Sequence, residues 1–273
     1  MRSPDRTHKS YLVVFLIVFV WIKIVFAPYW LYANGAGRER RPGPAVLHKQ
    51  YRQQHTQVRG GLHRDRPLFV LQRNAERKHT MTEREKMALG LWYDANFDPE
   101  LCAQRREAAA LCLAFNNADP RDTEEKARLQ KLLLPNASEE ACVTAPFQTD
   151  YGFNCCIGAG TDINRGAYLM DGAKITIGEH CFIGPNCGMY TANHPLCYEE
   201  RNRGFEQAAP ITIGDNVWIG GDVTILHGVT IGEGAVIGAG SVVTKDIPAH
   251  TLAYGNPCRA RRPITEADKV LGE

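Results

Sequence analysis

From residue 157 to residue 243 an aliphatic or methionine side chain returns every six residues, a period that neither an α-helix nor an ordinary β-strand repeats. The run is Ile157, Ile163 and Leu169, then, after a slip of two residues, Ile177, Ile183 and Met189, and finally Ile213, Ile219, Ile225, Ile231, Ile237 and Val243. Four residues after each comes a small or β-branched residue, Cys181, Cys187, Val217 and Ala235 among them, and glycine usually follows the aliphatic directly. This is the hexapeptide pattern of a parallel β-helix: each hexad forms a short strand and a turn, three hexads close a coil, and the aliphatics stack inside. Twelve hexads predict four coils, with Cys181 and Cys187 as interior packing residues.

The repeat is interrupted once, by YTANHPLCYEERNRGFEQAAP at residues 190–210. Met189 and Ile213 are 24 residues apart, four sixes, so the chain leaves the coil and rejoins it in phase. Long loops held on rigid repeats tend to carry function. That singles out His194, near the start of the excursion, and Glu206, near its return, as a second polar contact to a bound molecule.

Charge divides the chain. Residues 1–80 carry a net +11 and the remainder −9, which points to different surroundings for the two parts. Residues 11–32, YLVVFLIVFVWIKIVFAPYWLY, have one charge and are long enough to span a bilayer. Arg38, Arg40, Arg41, Lys49 and Arg52 follow them, so the positive-inside rule leaves the main domain in the cytosol if this is an anchor. Residues 33–80 show no sustained apolar period and read as disordered. The alternative is that residues 1–80 are an over-extended reading frame, because a helical pattern begins afresh at Met81. No small-residue cleavage site follows the apolar run, and nine cysteines without a C-x-x-C spacing fit a reduced compartment, so a secretory signal is disfavoured.

Three short amphipathic helices precede the repeats. Thr82 and Glu85 form a capping box, Leu101, Gln104, Ala108, Leu111 and Phe115 share one helical face, and Asp122 and Glu125 open a third helix that Pro135 ends. They are too small for a core of their own.

MTEREKMALGLWYDAN, DYGFN, ITIGDNVWIGG, VIGAGSVVTKDIP and GNPCRARR together resemble the maltose and galactoside O-acetyltransferases among the hexapeptide-repeat acyltransferases. The resemblance covers roughly residues 81–262, and the first 80 residues have no counterpart. It implies a mainly β fold, a left-handed parallel β-helix at 141–262 with an α-helical cap at 81–140, an extruded loop at 190–210, and a tail at 263–273. It also implies a homotrimer with active sites between subunits, and acetyl transfer from acetyl-CoA to a hydroxyl of a sugar such as maltose, glucose or a galactoside. By the same resemblance the catalytic residue is His194, acceptor-site residues are Asp94, Asn164 and Asp171, and Trp218, Gly221, Thr244, Lys245, Arg259 and Arg262 serve acetyl-CoA. Two departures line the expected acceptor pocket: Gln148-Thr149 stands where relatives usually have an arginine-containing pair, and Gly166 replaces a common asparagine.

The residue types suit the chemistry. A thioester needs only a base for the incoming hydroxyl, positioning, and donors for the developing oxyanion. A histidine with a typical pKa of about 6.5 is mostly neutral at physiological pH and can be that base. A main-chain N–H near Gly221 suits the oxyanion, Lys245, Arg259 and Arg262 suit the CoA phosphates, and Trp218 suits the pantetheine arm.

The same residues admit other readings. Cys197, three residues after His194, invites an acetyl-cysteine intermediate, but the sequence places no evident activating group beside it other than that histidine. A zinc-dependent γ-carbonic anhydrase needs three histidine ligands, and the loop offers none beyond His194, so no metal is expected. Serine or an antibiotic alcohol is the runner-up acceptor. A non-catalytic scaffold is the remaining alternative, and nucleic acid is not an expected partner.

Overall fold

The computed structural model describes residues 80–271. The apolar run at 11–32 lies outside the described residues, among which no helix is long and apolar enough to cross a membrane. The cap consists of α1 (Glu83–Ala88), α2 (Pro99–Asn117) and α3 (Thr123–Leu133). Thr82 and Glu85 make the reciprocal capping box at the head of α1, at 3.1 and 2.7 Å, while Asp98 and Asp122 cap α2 and α3. Cys112 and Phe115 of α2 and Leu129 and Leu133 of α3 join the same apolar cluster as the interior of the repeats. This part of the cap therefore extends the core of the repeat domain, while Met87, Tyr93, Ala95 and Leu101 form a second, smaller apolar cluster with Tyr151.

The repeats wind into a three-faced prism of parallel strands. The first face stacks Cys155–Ile157, Ile175–Ile177, Ile211–Ile213 and Thr230–Ile231 in register, with bridges to Ala137 below and Ile247 above. The second stacks Cys142–Val143, Asp162–Ile163, Phe182–Ile183, Trp218–Ile219, Val236–Ile237 and Thr251–Tyr254. The third stacks Phe147–Thr149, Ala167–Met170, Gly188–Tyr190, Thr224–Leu226 and Val242–Val243. Two faces thus carry six rungs and the third carries five, where twelve hexads predict four coils. The extra turns lie at the ends, where Ala137, Thr149 and Ala253 take the inward positions and small or polar side chains hide the aliphatic signal. Arg259–Pro263 folds back antiparallel along Thr251–Tyr254 and covers the upper edge of the second face.

The three corners differ. Between the first and second faces, Gly160, His180, Asn216, Gly234 and His250 stack in the left-handed region, and between the second and third faces Gly166, Asn186, Asp222 and Gly240 do the same. The N–H of each upper member bonds the carbonyl just before the member below, as in Asn216 to Glu179 (2.8 Å) and Asp222 to Pro185 (2.8 Å). The corner from third to first face has no such ladder. It takes two extra residues after Thr149 and after Leu169, and one coil later it takes the whole excursion.

Candidate active site

The excursion is a pinned hairpin. Ala192–Asn193 pairs antiparallel with Phe205–Ala208, which pairs on its other edge with Tyr93–Asp94 of the cap. A short helix, α4 (Tyr198–Arg201), forms the outer turn, and Gln207 Nε2 donates to the Gly90 carbonyl at 2.8 Å. The cap and the loop therefore share one small sheet, placed over the irregular corner.

This sheet fixes the histidine. His194 Nδ1 lies 3.0 Å from the Phe205 carbonyl oxygen. A carbonyl only accepts, so Nδ1 carries the proton and Nε2 presents its lone pair. Nε2 is 3.9 Å from Glu206 Oε2, and the two side chains are 44% and 15% exposed. Glu206 in turn accepts the hydroxyl of Tyr93, a residue with 0% exposure. Burial pushes the Glu206 carboxyl above its ordinary value, against the Tyr93 hydrogen bond and the nearby His194, and burial beside Glu206 pushes the Tyr93 phenol far up. The result is a half-exposed imidazole backed by a mostly buried carboxylate.

Asp94 borders this group. Its backbone N–H donates to Glu83 (2.7 Å) and its carboxylate accepts from the Phe97 N–H (2.9 Å), which folds the cap chain against the loop's return. Asp171 lies beneath, with 0% exposure, and accepts from Thr149 Oγ1 (2.8 Å), Tyr151 N (2.8 Å) and Asn154 N (3.2 Å). Its carboxylate ties together two turns of the irregular corner.

The other expected residues fall elsewhere within one chain. Asn164, Trp218 and Gly221 line an open cleft of about 840 Å³ on the second face, together with Phe182, Pro185 and Leu252. Trp218 is 57% exposed over this cleft. Thr244, Lys245, Arg259 and Arg262 are exposed near the upper end. Arg262 is gripped by both carboxylate oxygens of Asp268, at 2.8 and 2.6 Å, and Arg259 donates to the Cys258 carbonyl at 2.8 Å. Cys197 is exposed and donates its thiol to Glu199 (2.7 Å). Among the described residues no group of three or more His, Cys, Asp or Glu is arranged to hold a metal ion.

Sequence reasoning did not reach Tyr93 or Arg105. Arg105 of α2 bonds the Tyr151 hydroxyl at 2.6 Å and the Ala95 carbonyl, which locks the chain next to Asp94. The signal for Tyr93 is its place beside Asp94 in a loop-like stretch; Arg105 has no signal, because one arginine on a polar helix resembles any other.

A parallel β-helix that presents a histidine on a pinned loop, with an exposed tryptophan over a cleft on a neighbouring face, has the architecture of a hexapeptide-repeat acyltransferase. Residues 86–137 match the maltose acetyltransferase hexapeptide capping motif, 174–191 the hexapeptide repeat of succinyl-transferase, and 210–245 the bacterial transferase hexapeptide of six repeats. A protein of Staphylococcus aureus strain MRSA252 that is named as an acetyltransferase is 53% identical over 184 residues, 67% of this chain and 92% of that one. The crystal structure of a maltose O-acetyltransferase from Clostridium difficile 630 is 42% identical with a TM-score of 0.65, covering 68% of this chain and 99% of that one. A galactoside acetyltransferase in complex with coenzyme A is 37% identical, also with a TM-score of 0.65, covering 69% and 94%. The chain belongs to the hexapeptide-repeat acetyltransferase family of the maltose and galactoside O-acetyltransferases, and it is an acetyltransferase.

Proposed function

We propose that the chain moves the acetyl group of acetyl-CoA directly to a hydroxyl of a sugar such as maltose, glucose or a galactoside, with His194 as general base. The observation that carries this is the 3.0 Å contact from His194 Nδ1 to the Phe205 carbonyl, which leaves Nε2 as the basic nitrogen in a half-exposed position. Nε2 takes the hydroxyl proton as the sugar oxygen attacks the thioester carbon. The C–S bond then breaks, and the imidazolium returns the proton to the CoA sulfur. Glu206, 3.9 Å away, stabilises the charged ring.

Asn164, Trp218 and Gly221 lie on a different face from His194, which supports a homotrimer whose sites are completed between subunits. A neighbouring copy then supplies acceptor contacts from Asn164, an oxyanion donor near Gly221, and a surface for the pantetheine from Trp218. Thr244, Lys245 and Arg259 contact the rest of acetyl-CoA, joined by Arg262 when it exchanges Asp268 for a phosphate. Asp94 and Asp171 hold the acceptor side, the first by contact and the second through the turns it fixes. The nine unpaired cysteines fit work in the cytosol.

The test is a thiol-release assay with acetyl-CoA against maltose, glucose, galactosides, serine and chloramphenicol, run on the protein and on His194→Ala. Loss of a general base lowers the rate by about 10²–10⁴. Full activity in the variant on the best acceptor removes the assignment of His194.

A further inference from the structure

Tyr93 is fully buried one hydrogen bond behind Glu206 and takes no part in the proton transfer itself. Its ring is enclosed with Met87, Ala95, Leu101 and Tyr151, and its hydroxyl donates to Glu206 Oε1. The strand pairing sets Tyr93 directly opposite Glu206, so both side chains leave the small sheet on the same side. The second carboxylate oxygen, Oε2, is the one that lies 3.9 Å from His194 Nε2. We propose that Tyr93 is a positioning residue for acetyl transfer: it fixes one oxygen of Glu206 so that the other faces the imidazole as the ring takes up the acceptor's proton. This rests on His194 as the base and holds for any hydroxyl acceptor.

The pair has little freedom. A Cβ at Gly172 would stand 3.1 Å from both Glu206 Oε1 and the Tyr93 hydroxyl, and 3.4 Å from Ala208 Cβ, so bare backbone packs against the contact. Arg105 grips the Tyr151 hydroxyl at 2.6 Å and the Ala95 carbonyl two residues after Tyr93, which braces the chain on which Tyr93 sits. The strand that carries Glu206 is held on its other edge by Ala192–Asn193, next to His194. Tyr93 thus reaches His194 through one carboxylate, and its hydroxyl opposes rotation of that carboxylate.

The hydroxyl also acts on charge. Burial lifts the Glu206 carboxyl above its ordinary value and Asp150 adds to the lift, while the Tyr93 hydrogen bond, then His194 and Arg105, pull it down. A hydrogen bond donated to an ionised acid favours that form. Burial and the Glu206 charge hold the Tyr93 phenol far above its ordinary range, so it stays a donor throughout an assay. An ionised Glu206 meets the imidazolium with a full charge, and a protonated one only with a dipole. Loss of the hydroxyl therefore removes the aim of the carboxylate together with part of its charge.

The experiment is a double-mutant cycle on the full chain: parent, Tyr93→Phe, Glu206→Gln and Tyr93→Phe/Glu206→Gln, each assayed with acetyl-CoA and the best acceptor. Tyr93→Phe keeps the ring and its packing. Its kcat is expected to fall about three- to tenfold, with KM for acetyl-CoA within about twofold of the parent. On the Glu206→Gln background the same substitution should cost less than about twofold, because the carboxylate it acts through is gone. An unchanged kcat in Tyr93→Phe, or the same fractional loss on both backgrounds, overturns the role; a hydroxyl that served only the fold would give that equal loss. NMR of the Glu206 side-chain carboxyl reads the contact without turnover. Its protonation midpoint is expected about one pH unit higher in Tyr93→Phe, since a lowering influence is removed, and a midpoint that stays in place overturns the proposal. Failure of His194 as the base shows separately, as transfer that survives His194→Ala.

Discussion

One methyl group placed at Gly204 tests whether the cap positions the base. Gly204 has φ +86° and is buried at the loop's return, where an added Cβ would stand 2.8 Å from the Phe97 ring and 3.0 Å from Asp94 Oδ1. Gly204→Ala meets two costs: about 1–2 kcal/mol for a side chain in the left-handed region, and about 1–3 kcal/mol for overpacking against Phe97. The loop relieves both by sliding away from the cap, and the next residue, Phe205, carries the carbonyl that orients His194. A shift of about 1 Å at a reacting group can cost about 10²-fold. In the thiol-release assay with maltose, kcat/KM should fall about tenfold to a hundredfold, with little change in melting temperature because the coils are untouched. Phe97→Ala/Gly204→Ala removes the overlap but keeps the backbone strain, so it should recover much of the loss. Full activity in the single variant, or a double variant no better than the single, refutes the coupling of cap to base.

Two further outcomes follow from the buried carboxylates. Glu206→Gln should lower kcat about tenfold, roughly 1.4 kcal/mol of lost imidazolium stabilisation, yet cost no stability at neutral pH. The wild-type carboxyl is raised above 4.5 by burial, so the folded state holds its proton more tightly. Its stabilisation is complete below the unfolded value and is lost as pH rises through the raised one. Melting between pH 4 and 8 should therefore fall more steeply for the parent than for the variant, and identical slopes would contradict this. Asp171→Asn turns an acceptor of three hydrogen bonds into a group that meets some of those donors with its own N–H. It should cost about 3 kcal/mol, a melting loss of about 6–12 °C for a chain of this size. A variant that melts with the parent but loses acceptor affinity would make Asp171 a contact residue instead.

The six-residue period reveals the prism because every interior aliphatic in the middle coils answers to it. The end coils escape notice because Ala137, Thr149 and Ala253 fill the tapering interior with little apolar surface. His194 and Glu206 could be found from register alone, because a phase-keeping excursion isolates them. Their relation could not, since it depends on Tyr93 arriving from a cap more than a hundred residues away. Asp171 shows the limit of matching by motif: a carboxylate beside a site looks alike in sequence whether it faces a ligand or the backbone. Arg262 is similar, since its clasp on Asp268 depends on how the tail folds back.

The unlike corners have a consequence for change. The two left-handed ladders keep each coil in step with the next, so the third corner is released from that duty and can vary in length without shifting a strand. It is a seam at which chain length can change, with residues 150–154 and 170–174 exchanged together because Asp171 holds Thr149, Tyr151 and Asn154. Grafts made there would inherit a working scaffold, whereas insertions of the same length at Asn186 or Asn216 would have to renegotiate every coil above them.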